Sequence, residues 1–419
     1  MENTISHRTS CRGCFSKNIK KFLSLGNMPL AGGFLDAEQI KDEIKIPLDV
    51  YFCEDCWLVQ ILDVVEPSVL FKNYFYISSV IKSLSEHFED YHKFLLEKYL
   101  DKKDKNKILE FGCNDGVLLQ YFLDDPAIQA YGVDPSENVW KLAKEKWLNV
   151  NTGYFNQDFA NNFKHVHGEF DVITGSNVFA HIDDIHEVLN AAKILLKNDW
   201  VFIIEVHYLG DLIKDFQYDT IYHEHLTYYS ISSLKKIYEI AWFKIIDVIH
   251  IPMHGGGIRV VASKETSIHN VEDSVWIFLQ NELEDWLTSY LSFELFWEKV
   301  LEHKKSLMTL LKNIKNQNKT IVWYWAPWRW TILLNFCWID KKYLDYIVDV
   351  SPLRAGKLMP WVHLPILSPE VARQKHPDYF LILAWNYTNS ILEQEQVLYD
   401  EWVNFIIPFA KPHIEWKKY

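Results

Sequence analysis

Two stretches of this chain crowd together side chains that can move protons. The first is Gln217-Tyr-Asp-Thr-Ile-Tyr222-His223-Glu224-His225-Leu-Thr-Tyr-Tyr, a run of phenols, imidazoles and carboxylates. The second is Asp171-Val-Ile-Thr-Gly-Ser-Asn177-Val-Phe-Ala-His181, which runs off the end of an apolar stretch. Core packing gives no reason to collect so many titratable groups, so acid–base chemistry is the leading reading. An imidazole suits that task because its unperturbed pKa lies near working pH. A metal site built on His223, Glu224 and His225 is a second reading, but His-Glu-His lacks the i, i+4 helical spacing of HExxH. A solvated loop is the third.

Metal-ligand spacing is clearer elsewhere. Cys11-Arg-Gly-Cys14 and Cys53-Glu-Asp-Cys56 each offer two thiols, and four thiolates close the tetrahedral shell of one zinc ion. A closed shell leaves no position for water, so such a zinc is structural. The N-terminus, MENTISHRTS, has no apolar signal segment, and in a cytosolic chain paired cysteines read as ligands rather than disulfides.

A third pattern reads as a cofactor loop. Ile108-Leu-Glu110-Phe-Gly112-Cys-Asn114-Asp-Gly116 follows an expected strand, with glycines where backbone must approach a ligand, and is expected to open a helix. The next expected strand ends in Asp134, an acid placed to hold a ribose diol. These two features fit NAD as well as S-adenosylmethionine; the ExGxxxG spacing, unlike GxGxxG, favours the methyl donor.

The elements that must position these groups follow from apolar patterning. Expected strands at Lys107–Phe111, Ala130–Val133, Phe170–Ile173, Val201–Val206, Phe243–Ile249 and Ile258–Ala262 alternate with helices, which predicts a parallel, doubly wound α/β sheet. Residues 270–318 read as long helices, and strand–helix alternation resumes from 319. The 419 residues therefore divide as a zinc-binding module (1–75), a cofactor domain (76–262), a helical connector (263–318) and a smaller α/β domain (319–419). The net charge of −13 argues against nucleic acid or an anionic membrane as partner. No apolar run approaches the roughly 20 residues of a membrane span, so a cytoplasmic protein is expected.

One compositional feature is anomalous. The chain has 17 tryptophans and only 15 glycines, the latter about half the usual share of roughly 7%. Several tryptophans stand where backbone favours glycine: Trp57 after a cysteine knuckle, Trp200 at a helix-to-strand turn, Trp361 after Pro360, and Trp323, Trp325, Trp328 and Trp330 in a strand-to-helix loop that would read GYGAPGRG. Trp147, Trp242, Trp338 and Trp402 join this set. UGA is read as Trp in one variant genetic code and as Gly in another, so many of these positions read as glycine codons rendered as tryptophan; a genuinely tryptophan-rich protein is the alternative.

Taken together, CRGC, YFCEDC, YFYIS, EFGCNDGVLL, YGVDPSENV, SNVFAHIDD, YDTIYHEHLTYYS, HGGGIR and VDVSPLRAGKLMP give a chain that resembles, over essentially its whole length, the zinc-containing nucleotide-sugar C-methyltransferases of deoxysugar pathways. The tryptophans are the departures from that family's pattern. The resemblance implies an N-terminal zinc module, a class I (Rossmann-like) S-adenosylmethionine-dependent methyltransferase domain and a smaller Rossmann-like C-terminal domain. It implies a nucleotide-linked, dTDP-type 4-keto-sugar as substrate. It places the base at His225, with Glu224, Tyr222, His181 and Tyr76 around it, and Glu110, Gly112, Asn114, Gly116, Asp134 and Asn177 towards the cofactor. Two rivals remain at this stage. An NAD-dependent nucleotide-sugar oxidoreductase or epimerase would want Tyr-x-x-x-Lys, whereas Leu226 stands four residues after Tyr222. A non-catalytic nucleotide-sugar-binding scaffold would have no need of the intact polar cluster.

Overall fold

The computed structural model describes residues 4–71, 77–100, 105–324, 330–349, 354–382, 403–409 and 411–415. Tyr76, Trp325, Trp328, Arg329 and Trp402 lie outside them. The chain forms two compact units, each built from separate stretches: Met1–Lys20, Tyr51–Asp211 and Glu224–Tyr290 in the first, Lys21–Val50, Leu212–His223 and Leu291–Tyr419 in the second.

The first unit is organised on a seven-stranded sheet. Its strands are β1 (Asn106–Phe111), β2 (Ile128–Asp134), β3 (Val150–Thr152), β4 (Phe170–Ser176), β5 (Leu196–His207), β6 (Phe243–Ile251) and β7 (Gly257–Lys264), in the order β6-β7-β5-β4-β1-β2-β3. β1 to β5 run parallel, and the central β1, β4 and the C-terminal half of β5 carry near-continuous runs buried on both faces. Sequence alternation predicts a parallel, doubly wound sheet; five strands follow it, and β7 lies antiparallel to both β5 and β6. The physical reason is connection length: residues 252–256 are too few for a crossover, which needs a dozen or more. β3, short and mostly exposed, carries too little apolar signal to be expected.

One face of the sheet is covered by the helix Lys82–Lys98, which turns Leu84, Phe88, Tyr91 and Leu95 inward at helical spacing onto Ile108, Val172, Ile203 and Val261. The other face receives the helices Ile185–Leu195 and Ile231–Ile240. Asp184 caps the first of these by accepting from the Glu187 amide, and Ser230 and Ser233 cap the second reciprocally. The buried Glu282 carboxylate accepts the Ile231 and Ser232 amides at 2.6 and 2.7 Å.

The second unit carries β8 (Ile321–Tyr324), β9 (Ile347–Val348), β10 (Ile366–Leu367), β11 (Tyr379–Ile382), β12 (Asn404–Ile407) and β13 (His413–Glu415), ordered β10-β9-β8-β11-β12-β13. All pairings are parallel except β12 with β13. The helix Tyr290–Lys315 buries Phe293, Phe296, Val300, His303, Leu307, Leu311 and Ile314 along one stripe. Among the described residues no helix is long and apolar enough to cross a membrane.

The tryptophans sort by backbone. Trp57, Trp147, Trp242, Trp338 and Trp361 have φ between 62° and 65°, in the left-handed region that favours glycine. Trp286, not expected from sequence, joins them at φ 60°. Trp200 does not: it lies within β5 rather than in a turn, and its φ is not positive. Trp323 is also a strand residue, fully buried in β8, rather than part of the expected loop.

Candidate active site and zinc knuckle

The candidate site is assembled at the C-terminal ends of the central strands, where open α/β sheets bind ligands. β4 ends at Ser176, and the chain turns through Asn177, held at φ 55° with its amide donating to the Glu205 carbonyl at 2.8 Å. A 3₁₀ turn, Phe179–His181, then presents His181. The segment after Glu224 returns beside it, because the Leu226 amide donates to the Ala180 carbonyl at 2.8 Å. The imidazoles of His181 and His225 consequently lie 5.0 Å apart between ring centroids, with planes at 68°. His207, the last residue of β5, brings a third imidazole to 5.6 Å from His225. The sequence reading passes over His207 because it ends that strand at Val206; a polar residue at the C-terminal end of a central strand is the signal that finds it.

Burial biases His181 and Glu224 towards neutral forms. Desolvation pushes His181 down to about 4, opposed by hydrogen bonds to the backbones of Glu224 and Asn177. Desolvation pushes the Glu224 carboxyl up to about 8, and its Oε2 has no hydrogen-bond partner among the described residues. His223 has Nε2 3.2 and 3.3 Å from the Ile46 and Pro47 carbonyls. Tyr222 belongs, with His223, to the second compact unit.

The glycine-rich turn after β1 leads into a 3₁₀ turn, Leu119–Phe122, rather than the expected α-helix. Gly112 sits at φ 64°, and a Cβ there would fall 2.7 Å from Val178. Gly116, at φ 76°, would place one 2.1 Å from Leu148. Asp134 closes β2, buried, accepting the Asn114 amide at 2.9 Å and the Ser136 amide at 2.8 Å. Burial raises its pKa and those two amides oppose the rise. The Asn114 side chain is turned away to the backbone, its Oδ1 accepting from Ser78 at 3.1 Å. Glu110 is buried, its Oε2 without a partner among the described residues, and desolvation pushes its carboxyl well up. A buried carboxyl at the end of β1, a tight turn held by two positive-φ glycines and a second acid at the end of β2 make a set of groups that fits the ammonium and ribose of S-adenosylmethionine.

The four knuckle cysteines converge. Their sulfurs all lie within 4.8 Å of one another, with Cys11–Cys56 and Cys14–Cys53 at 3.5 Å. Bonds of about 2.3 Å to one tetrahedral zinc put sulfurs nearly 3.8 Å apart, so the cluster fits that ion. Cys11 is held low by hydrogen bonds from Cys53 and Cys56, while those same contacts with Cys11 push both partners up. A divalent cation binds the thiolate forms and so displaces the thiol protons to solvent. Gln60 Nε2 donates to the Cys11 sulfur at 3.1 Å and the Gly13 amide does so at 3.3 Å, which orient that ligand.

Three family models match in order along the chain. One described as "Putative zinc binding domain" covers residues 11–71, a methyltransferase domain covers 82–248, and a C-methyltransferase C-terminal domain covers 252–410. The chain is 32% identical over 415 residues to the C-methyltransferase NovU of Streptomyces niveus, spanning 99% of this chain and 98% of that protein. The chain belongs to the C-methyltransferase family. It is thus an S-adenosylmethionine-dependent enzyme with a zinc-binding module, as the sequence resemblance implies. The β6-β7-β5-β4-β1-β2-β3 order is the class I methyltransferase sheet of the family's cofactor domain. Among solved structures, a S-adenosylmethionine-dependent methyltransferase from Clostridium acetobutylicum aligns at 16% identity and TM-score 0.35, covering 42% of this chain and 92% of that one. Magnesium protoporphyrin IX methyltransferase from Synechocystis aligns at 14% identity and TM-score 0.31, covering 43% and 79%.

Proposed function

We propose that this C-methyltransferase methylates a ring carbon beside the keto group of a nucleotide-linked, dTDP-type 4-keto-deoxysugar. The observation that carries the reading is the His181–His225 pair, 5.0 Å apart, beside a carboxyl that burial keeps protonated. Carbon is a poor nucleophile unless a proton is first removed next to a carbonyl. His225 is the base: it takes that proton, and the electron pair moves into an enolate. His181, held neutral, and Glu224, held protonated, are hydrogen-bond donors suited to the oxygen on which that charge collects. Tyr222 and Tyr76 join them as donors, on the family resemblance. S-adenosylmethionine, when bound, supplies an electrophilic methyl group. Asp134 takes the ribose hydroxyls, Glu110 and the Gly112–Gly116 turn, with Asn114, take the amino-acid end, and Asn177 stands where donor and sugar meet. Cys11, Cys14, Cys53 and Cys56 hold the zinc in a closed, structural site. The protein works in the cytoplasm.

The test is incubation with methyl-labelled S-adenosylmethionine and a panel of dTDP-linked 4-keto-sugars in deuterated water. Label should appear on carbon, and the same carbon should exchange with solvent when S-adenosylhomocysteine replaces the donor. Label on oxygen or nitrogen, or transfer without any α-proton exchange, overturns the enolate route.

A further inference from the structure

The residue that links the zinc knuckle to the candidate site is Arg12, which stands between two of the cysteines and which the reaction scheme leaves unused. Its side chain is fully buried. Nη1 donates to the Leu226 carbonyl at 2.6 Å and to the Ile61 carbonyl at 2.8 Å. Nη2 and Nε reach Asp183 Oδ1 at 3.1 and 3.4 Å. Leu226 is the neighbour of His225, and Asp183 lies two residues beyond His181. One planar guanidinium therefore grips both segments that deliver the paired imidazoles. The grip is anchored in the knuckle itself, because the Arg12 amide donates to Gln60 Oε1 at 3.1 Å while Gln60 Nε2 donates to the Cys11 sulfur. His186, on the helix that follows His181, adds a contact of 2.7 Å to the Gly13 carbonyl.

Stability is a poor reason for this arrangement. Taking a guanidinium fully out of water is costly, and its single carboxylate partner is partly solvated, so apolar packing would hold the module as well. A rigid fork that fixes angles between several acceptors is what a flexible ammonium or an alkyl chain cannot supply. We propose that Arg12 is a positioning residue for methyl transfer, locking the His181 turn and the His225 segment into one frame referenced to the zinc knuckle. The assignment rests on the reading that these two imidazoles serve the chemistry. It makes the knuckle part of the catalytic geometry.

Zinc-loaded full-length R12M and R12K are compared with the parent protein for zinc per chain, S-adenosylhomocysteine affinity, turnover on a dTDP-linked 4-keto-6-deoxysugar, and the ring ¹³C resonances of His181 and His225. R12M should keep its zinc and bind S-adenosylhomocysteine within twofold of the parent. Both histidine resonances should move, and kcat should fall about 30- to 100-fold with little change in KM, the scale of a misplacement near 1 Å. R12K should recover part of the loss. Unmoved histidine resonances overturn the positioning role. Moved resonances with full turnover instead remove the two histidines from the chemistry and so refute the functional reading. If R12M does not fold, D183A serves, since Asp183 is partly solvated and its loss frees only one side of the grip. The His181 resonance should then move more than that of His225, and equal, unchanged spectra overturn the proposal.

Discussion

Replacing tryptophan by glycine normally wrecks a protein, and here four such changes should stabilise it. Trp147, Trp242, Trp286 and Trp338 each follow a helix, ending at Glu145, Ile240, Glu284 and Cys337 respectively. Each takes the left-handed φ of a helix C-terminal stop, from 60° to 65°. Three complete the paired closing bonds of a Schellman motif: Trp147 to Lys144 with Leu148 to Ala143, Trp286 to Leu283 with Leu287 to Glu282, and Trp338 to Asn335 with Ile339 to Leu334. An L-residue pays about 1–2 kcal/mol in that conformation, and glycine pays about 0.5–1 kcal/mol of extra chain entropy on folding. The indoles return little, being 89%, 65%, 62% and 76% exposed. The balance is a gain of roughly 0.5–1 kcal/mol per site, and for four separate turns about 2–4 kcal/mol together.

The assay is urea unfolding of the fourfold glycine variant beside the parent, read as a shift in midpoint at constant slope. Trp140 is the control. It sits inside the helix Glu137–Glu145 and donates from Nε1 to the Val150 carbonyl at 3.2 Å, so W140G should lose about 1 kcal/mol from helix propensity alone and more from lost packing. A fourfold variant no more stable than the parent, or W140G behaving like the four, refutes the reasoning. Peptide masses from the native source then test the recoding itself: tryptophan mass at 147, 242, 286 and 338 ends it.

Other consequences are as direct. Purified protein should carry about one zinc per chain, and Cys→Ser at position 11, 14, 53 or 56 should lower the melting temperature; metal-free protein melting unchanged refutes the site. H225A should lose roughly 100- to 10,000-fold in turnover, the usual worth of a positioned base, while S-adenosylhomocysteine affinity by calorimetry barely changes. D134A should weaken that affinity by about 1.5–3 kcal/mol, the range for a charged hydrogen bond; unchanged binding removes Asp134 from the ribose. Glu224 keeps its proton up to about 8 when folded and loses it near 4.5 when unfolded, so it costs stability as pH rises between those values, at most about 1.4 kcal/mol per unit. E224Q should flatten that slope in melting temperatures taken from pH 5 to 8; parallel curves for the two proteins would contradict the buried neutral carboxyl.

The central strands were legible because burial on both faces writes an apolar run that little else produces, as in Val201–Val206. What escaped lies where the deciding contacts are distant in sequence. The antiparallel β7 follows from a connection too short to cross over, visible only when Phe243–Ile251 and Gly257–Lys264 are both recognised as strands. Trp200 looked like a turn residue, yet β5 starts four residues earlier and takes it in. Trp286 was missed because the boundary between two consecutive helices carries no strand to mark it. His225 and His181 stand out by residue type, but nothing in their spacing says that they meet; the Leu226–Ala180 hydrogen bond does that.

The electrostatics of the pair suggest why so polar a cluster is buried at all. Solvated, His181 would carry partial positive charge near neutral pH and Glu224 a full negative one, and each would bring a hydration shell into the space that the proposed reaction assigns to a carbonyl. Burial suppresses both charges in opposite directions, leaving a window between about 4 and about 8 in which both are neutral. A neutral donor next to a neutral imidazole stabilises a charge that appears only during reaction and does not compete for it beforehand. Fixed donors lose that advantage if they can drift, since a donor aimed 1 Å wide of the oxygen serves the ground state as well as the transition state. On the proposed reading, a buried guanidinium that ties both segments to the cysteine knuckle answers that requirement, and R12M is the variant that tests whether knuckle and imidazoles act as one unit.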